Sequence, residues 1–246
     1  MNLELTLLIT TINEADNLRL LLPRLNQCFH SIGAAFEILI IDGHSTDATR
    51  TVAESYGARV LCQKGPGYGA AICEGIQAAA GRYLIVMDAD LSHLPEDAVN
   101  LFMNRTLADI VINSRYMKGG ATDTAWYRDL LSRLLNFLFR TILRLPFKEV
   151  SGGFRVYRKE VFSHFQPKSR FYEIQEELIL IPFWLGFTVA EIPYRYRERV
   201  KGQSKAKLLK YGVYLLASIF RFRKEKEALA SSGQLRNSFL HTGHLP

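Results

Sequence analysis

No run of this 246-residue chain is apolar for long enough to cross a bilayer. Its longest uncharged apolar stretches, residues 178–190 and 211–220, fall short of the roughly 18–20 residues that spanning takes, and Pro182 and Gly186 interrupt the first. No transmembrane helix is expected. A secretion signal is missing too: Glu4 stands where a basic region would precede the apolar stretch, so residues 5–9 read as a first strand. Cysteine is scarce. Cys28, Cys62 and Cys73 have neither CxxC spacing nor a nearby His pattern, and read as reduced thiols of a cytosolic protein. Gly65, Gly67 and Gly69 are not spaced as a dinucleotide fingerprint or a P-loop, which removes support for both of those phosphate sites. Repeats and low-complexity tracts are absent.

What is present suits one large domain, or one domain with an appendage. A hydrophobic content of 48% is ample for a buried core, and 22% charged residues is ordinary for a soluble protein. The net charge of +7 is unevenly placed. Residues 195–226 carry eleven Lys/Arg against two Glu, a local charge of +9, which leaves −2 for everything else. Basic character is therefore a C-terminal feature, and its partner should be anionic: phosphate groups, anionic lipid or nucleic acid.

The first half alternates strand and helix patterns. Strands are expected at 5–10, 36–41, 59–61, 83–87 and 109–113, and helices at 14–28, 46–56, 69–80 and from Pro95 onward. Ser45 or Thr46 would cap the second helix. Such alternation with short connections implies a mostly parallel sheet with helices covering it. After residue 118 the pattern changes. Residues 126–145 form a long helix candidate rich in Leu and Phe but interrupted by Arg128, Arg133, Arg140 and Arg144. Such a helix either lies in a membrane interface or packs on the core with snorkelling arginines. Residues 207–226 are a second basic, apolar case, and 231–246 read as a tail without periodicity.

Polar, glycine-rich or charged residues recur after each expected strand. Thr11, Asn13 and Glu14 follow the first, Asp42 to Asp47 the second, Lys64 to Ala70 the third, Asp88-Ala89-Asp90 the fourth and Asn113 to Tyr116 the fifth. Open α/β sheets bind ligands at that carboxyl edge. Asp88 and Asp90 lie two apart, so continued strand alternation would put both carboxylates on one face, suited to Mg²⁺ or Mn²⁺ carrying phosphates. The same turn also reads as an acidic helix cap, just as Asp42 and Asp47 read as caps. His44 and His93 form no zinc spacing and stand as structural or exposed.

Taken in order, Ile12-Asn13-Glu14, Asp42…Ser45-Thr46-Asp47, Gly67-x-Gly69-Ala70 with Gly75, and Met87-Asp88-Ala89-Asp90-Leu91-Ser92-His93 resemble family-2 glycosyltransferases of the GT-A fold. Ser114-Arg115-Tyr116, Ser151-Gly152-Gly153-Phe154-Arg155, Glu191-Ile192-Pro193 and Arg199-x-x-Gly202-x-Ser204-Lys205 are similar to the dolichyl- or polyprenyl-phosphate mannosyltransferase branch. The resemblance covers about residues 5–207. It implies a Rossmann-like GT-A domain over 1–207, with an acceptor or membrane-interface helix within 118–147; beyond it, the residues themselves read as a basic amphipathic interface helix at 208–230 and a flexible tail at 231–246.

The resemblance further implies inverting transfer of a hexose from a nucleotide sugar to a polyprenyl or dolichyl phosphate. Thr11, Asn13, Glu14 and Asp42 would line the nucleoside pocket, with Asp88, Ala89 and Asp90 beside the donor. Asp90 would be the main ligand of Mg²⁺ or Mn²⁺, assisted by Asp88 and Ser92. Arg199 and Lys205 would clamp the diphosphate, and Arg115, Arg128, Ser132 and Arg133 would receive the acceptor phosphate. Asp90, Arg115, Arg199 and Lys205 are thus the expected catalytic set. Gly43 stands where many relatives carry a second Asp, which leaves GDP-mannose and UDP-glucose both open as donors. Two other readings stand beside this one: a catalytically silent lipid-binding relative, and single-strand nucleic-acid binding by the basic segment. The apolar run at 211–220 fits lipid better, so no nucleic-acid partner is expected. The expected place is the cytoplasmic face of a membrane, bound peripherally, with a separate transmembrane subunit left open.

Overall fold

A computed structural model describes residues 3–197 and 208–236. Strands β1 (Leu5–Thr11), β2 (Phe36–Asp42), β3 (Arg59–Cys62) and β4 (Tyr83–Asp88) alternate with helices α1 (Ala15–Ser31), α2 (Thr49–Ser55) and α3 (Tyr68–Ala78). Helix α4 (Pro95–Met103) then leads to β5 (Ile110–Ser114). All five are strands that sequence alternation predicts, with ends shifted by one residue or so. Helix α2 begins three residues later than expected. The polar groups meant to cap it are engaged elsewhere: Ser45 Oγ accepts from the Asn13 N–H, and the Thr46 hydroxyl donates to Asn13 Oδ1 at 3.3 Å.

The remaining elements are β6 (Ala121–Thr122), α5 (Trp126–Leu143), β7 (Arg155–Arg158), α6 (Ile174–Trp184), β8 (Val189–Pro193), β9 (Arg195–Tyr196) and α7 (Leu208–Ser231). Helix α5 stops at Leu143 because Arg144 turns left-handed, with φ of 53°. The main sheet has seven strands in the order β3-β2-β1-β4-β7-β5-β8, and β6 pairs with β9 in a small second sheet. It is parallel except for β7, which inserts antiparallel between β4 and β5.

Period-two alternation buries both sheet faces. Leu5, Leu7 and Ile9 of β1 face the cluster built with Leu18, Leu21, Leu22, Leu25 and Phe29 of α1. Leu8 faces the other side, with Ala71, Ile72 and Ile76 of α3 and Leu178 of α6. A third cluster joins Leu135, Phe139 and Leu143 of α5 to Ile179, Leu180 and Trp184 of α6 and Ile219 and Phe222 of α7. Polar contacts fix α7 in place. Lys226 Nζ donates to the Leu143 carbonyl at 2.7 Å, a cation at the C-terminal end of α5. Arg221 reaches Ser169 Oγ at 3.1 Å and pairs with Glu225 at 3.0 Å. Among the described residues no helix is long and apolar enough to cross a membrane.

In the first turn of α6, Glu176 is fully buried, and burial pushes its carboxyl up to about 8. A folded-state value above the unfolded one gives stability present at low pH and lost as pH rises toward 8. Wild-type unfolding free energy should therefore fall by about 2 kcal/mol between pH 6 and 7.5 from this group alone, at roughly 1.4 kcal/mol per pH unit. Glu176→Gln should flatten that slope in urea titrations at the two pH values; an unchanged slope would show that Glu176 is not the group responsible.

Candidate functional site

The register of the sheet assembles the site. Thr11 pairs with Asp42 across β1 and β2, and Thr10 with Asp88 across β1 and β4, so the polar strand ends meet on one edge. Asp42 is completely buried. Its Oδ1 accepts from Thr11 Oγ1 at 3.3 Å and its Oδ2 from the Ser45 N–H at 3.0 Å, while Arg50 Nε stands 3.3 Å away. Asn13 is left-handed, with φ of 56°; its Oδ1 accepts the Thr46 N–H, and its own N–H donates to Ser45 Oγ. Glu14 Oε2 accepts from Asn17 Nδ2 at 2.6 Å, and its N–H donates to Thr49 Oγ1. Asp47 serves as a cap, accepting from the Ala15 N–H and the Thr49 N–H at the starts of α1 and α2. Thr11, Asn13, Glu14 and Asp42 are thus brought together where β1 and β2 end.

The glycine motif has a packing role. Gly67, with φ of 92°, opens α3, and a Cβ there or at Gly69 would strike the backbone of residues 169–171. Tyr68 stacks on Tyr172 across the same contact, with ring centroids 5.3 Å apart. At Gly43 an added Cβ would run into the Ile12 side chain.

Strand β4 ends at Asp88, so Asp90 lies in the turn and strand alternation does not set its direction. The turn does. Leu91 is left-handed, with φ of 63°, and Asp90 Oδ1 accepts both the Ser92 N–H at 3.1 Å and the Ser92 hydroxyl at 2.6 Å. Ser92 is fully buried and touches the carboxylate directly. Among the described residues no three His, Cys, Asp or Glu side chains cluster closely enough to form a metal site of their own. The donor set offered by Asp88 and Asp90 is two hard carboxylates. That set fits Mg²⁺ or Mn²⁺, which keep several ligand positions for water and substrate phosphate.

Across β7 and β5 lies a second polar group. Arg115 forms a two-pronged ion pair with buried Glu149, Nε to Oε2 at 2.9 Å and Nη2 to Oε1 at 2.7 Å. Burial alone would lower the guanidinium's pKa, but Glu149 outweighs it and raises it, so Arg115 stays charged. Arg115 Nη2 also lies 3.4 Å from Ser132 Oγ, and its guanidinium stands 4.9 Å from the Tyr116 ring centre and 5.6 Å from that of Tyr196. Arg133 approaches the same Tyr116 ring at 4.8 Å while pairing with Asp129 at 2.8 Å. Arg115, Ser132 and Arg133 are therefore gathered around Tyr116. Arg128 is exposed on α5, without an ion-pair partner among the described residues. Arg199 and Lys205 lie outside the described residues. Arg197, the last residue described before them, pairs with Asp97 at 2.7 Å.

Sequence reasoning missed Glu149 and Asn136, and noticed Glu191 only as part of the Glu191-Ile192-Pro193 motif. Asn136 Oδ1 accepts the Val150 N–H, and Glu191 accepts the N–H groups of Lys148 and Glu149, so both hold the loop that presents Glu149. The one available signal was an acid standing in the mostly apolar run before Ser151-Gly152-Gly153. His93 is buried, and burial lowers its pKa.

The profile of Glycosyl transferase family 2 matches residues 6–165. The chain is 31% identical over 216 residues to a dolichol-phosphate mannosyltransferase of Pyrococcus furiosus, covering 83% of this chain and 60% of that protein. It is 32% identical over 213 residues to a polyprenol monophosphomannose synthase of Mycolicibacterium smegmatis, covering 80% of this chain and 79% of that one. The chain thus spans about 60% of the length of the first relative. Glucosyl-3-phosphoglycerate synthase of Mycobacterium tuberculosis, solved with Mn²⁺, UDP and phosphoglyceric acid, superposes with a TM-score of 0.70 at 17% identity, covering 89% of this chain and 78% of that one. A complex of the same enzyme with Mg²⁺ and UDP gives 0.68 at 16% identity over 88% and 79%. These likenesses assign the sheet to the GT-A fold.

Proposed function

The chain belongs to glycosyl transferase family 2, and on that premise we propose that it transfers a hexose, mannose first, from a nucleotide sugar to a polyprenyl or dolichyl phosphate. The observation that carries this reading is the joining of two sites by one ring. The Tyr196 ring centre lies 5.6 Å from the Arg115 guanidinium and 6.5 Å from the ring of His93, which follows the Asp88-Ala89-Asp90 turn. A carboxylate pair for the donor and a set of cations for an acceptor phosphate thus share one edge. The relatives' names, which specify dolichol-phosphate and polyprenol mannose transfer, agree with it.

In this reading Thr11, Asn13, Glu14 and Asp42 hold the nucleoside. Asp88 and Asp90 hold Mg²⁺ or Mn²⁺, with Ser92 fixing Asp90. When bound, the cation would offset charge on the departing diphosphate. Arg199 and Lys205, which the family resemblance assigns to the donor diphosphate, would add positive charge to it. The acceptor is already an ionised phosphate and needs no strong base. Its oxygen forms the new bond to the anomeric carbon as the bond from that carbon to the diphosphate breaks, with inversion. Arg128, Ser132 and Arg133 of α5 guide the acceptor phosphate, while Arg115, already matched by Glu149, supplies a fixed charge and a rigid floor. The apolar face of α5 rests on the cytoplasmic surface of a membrane, where the lipid acceptor resides.

The donor is GDP-mannose or, as the second choice, UDP-glucose, because Gly43 stands where many relatives carry a second Asp. A screen of nucleotide release with a short polyprenyl phosphate and Mn²⁺ tests this. GDP-mannose should give turnover at least tenfold above the other donors; release from UDP-glucose alone would move the assignment, and release from none would end the enzymatic reading.

A further inference from the structure

His93 stands outside every role given so far, yet its contacts are those of a part that sets the carboxylate turn. It is buried to 6% exposure, and its Nδ1 accepts the backbone N–H of Asp88 at 3.0 Å. That bond requires the neutral ring with its proton on Nε2. The ring lies flat on Phe154, with centroids 4.2 Å apart and planes 8° from parallel, and Tyr194 meets it edge-on at 6.4 Å. Tyr194 in turn donates its hydroxyl to the Ser92 carbonyl at 2.7 Å. The two ends of the turn, the Asp88 N–H and the Ser92 carbonyl, are therefore tied to one aromatic stack.

Asp88 is the last residue of β4, and its neighbours across the sheet pair only through Thr10. Beyond it the chain leaves the ladder for a turn containing left-handed Leu91. A backbone leaving a sheet in this way loses ladder partners, and its N–H groups need others. His93 supplies one at the residue where the direction of both carboxylates is decided. We infer that His93 is a positioning residue, which holds the Asp88-to-Ser92 turn in the conformation that presents Asp88 and Asp90 to a divalent cation. The assignment of the cation rests on the proposed function; the hold on the turn does not.

The test separates the two. In His93→Ala, amide exchange at Asp88 should quicken by about tenfold or more, since the N–H loses its acceptor. Mn²⁺ affinity, read from the free-ion EPR signal with GDP and in parallel with UDP, should fall by about tenfold, the loss typical when a group supporting a metal ligand is removed. His93→Asn places an amide oxygen near the position of Nδ1 and should recover much of both; His93→Gln, whose oxygen sits one bond further out, should not. Unchanged Asp88 exchange in His93→Ala, or an Asn variant no better than Gln, would overturn the inference and leave the ring a packing element. If the wild-type chain binds no Mn²⁺ with either nucleotide, the metal reading fails, and the exchange result alone decides what His93 does.

Discussion

Asp90→Asn should yield a folded protein whose turnover drops by about 10²–10³-fold, the range seen when a group stabilising developing negative charge is removed. The substitution isolates charge from structure. Asparagine retains Oδ1, the atom that accepts the Ser92 N–H and hydroxyl, so the turn keeps both bonds. What it loses is the anionic oxygen pair that a hard cation requires. Nucleotide release from GDP-mannose at saturating Mn²⁺ measures the effect, and thermal midpoints should agree within a few degrees. Ser92→Ala should fall by less, because it frees the carboxylate without neutralising it. An Asp90→Asn variant within tenfold of wild type would transfer the main ligand role to Asp88 or remove the cation from the reaction.

The donor half of this site was legible for a definite reason. Strands β1, β2 and β4 end in, or run directly into, the residues proposed for the donor, so reading strand ends gave Thr11, Asn13, Asp42, Asp88 and Asp90 together. Parallel register then aligns those ends without further information. The acceptor half was less legible because its contacts are long-range. Arg115 and Glu149 lie 34 residues apart, and nothing local marks the acid as the arginine's partner. Strand β7 escaped notice for a similar cause: Arg155–Arg158 is four residues long and antiparallel, and only its neighbours β4 and β5 make it a strand. His93 was set aside because a lone histidine has no spacing to read; its partner is a backbone N–H, which every sequence contains. Strand alternation does not govern Asp90, since a left-handed turn and Ser92, not the pleat, aim that carboxylate.

The exposed side of α5 carries the other large expected effect. Leu135, Phe139 and Leu143 are buried against α6 and α7, which satisfies the packed-helix reading on one side. On the other, Trp126, Leu130, Leu134 and Phe137 follow one another at helical spacing and are 77%, 59%, 51% and 58% exposed. Arg128 and Arg133 flank them, and Phe220 of α7 is 65% exposed. Residues four and three apart share a helix face, so these side chains form one apolar stripe. Large apolar stripes with basic borders are unusual on a free surface and suit a headgroup boundary. Replacing Leu130, Leu134 and Phe137 together by serine should weaken binding to vesicles containing 30% phosphatidylglycerol by about 10³-fold. That corresponds to on the order of 4 kcal/mol, less than full burial of three such side chains would give, since the stripe enters the boundary only in part. Stability should hold or rise, because exposed apolar groups leave the surface, and turnover with a water-soluble short-chain acceptor should persist while turnover on vesicle-borne lipid collapses. Equal vesicle binding by the triple variant would exclude α5 as the membrane contact and pass the role to the basic segment 195–226.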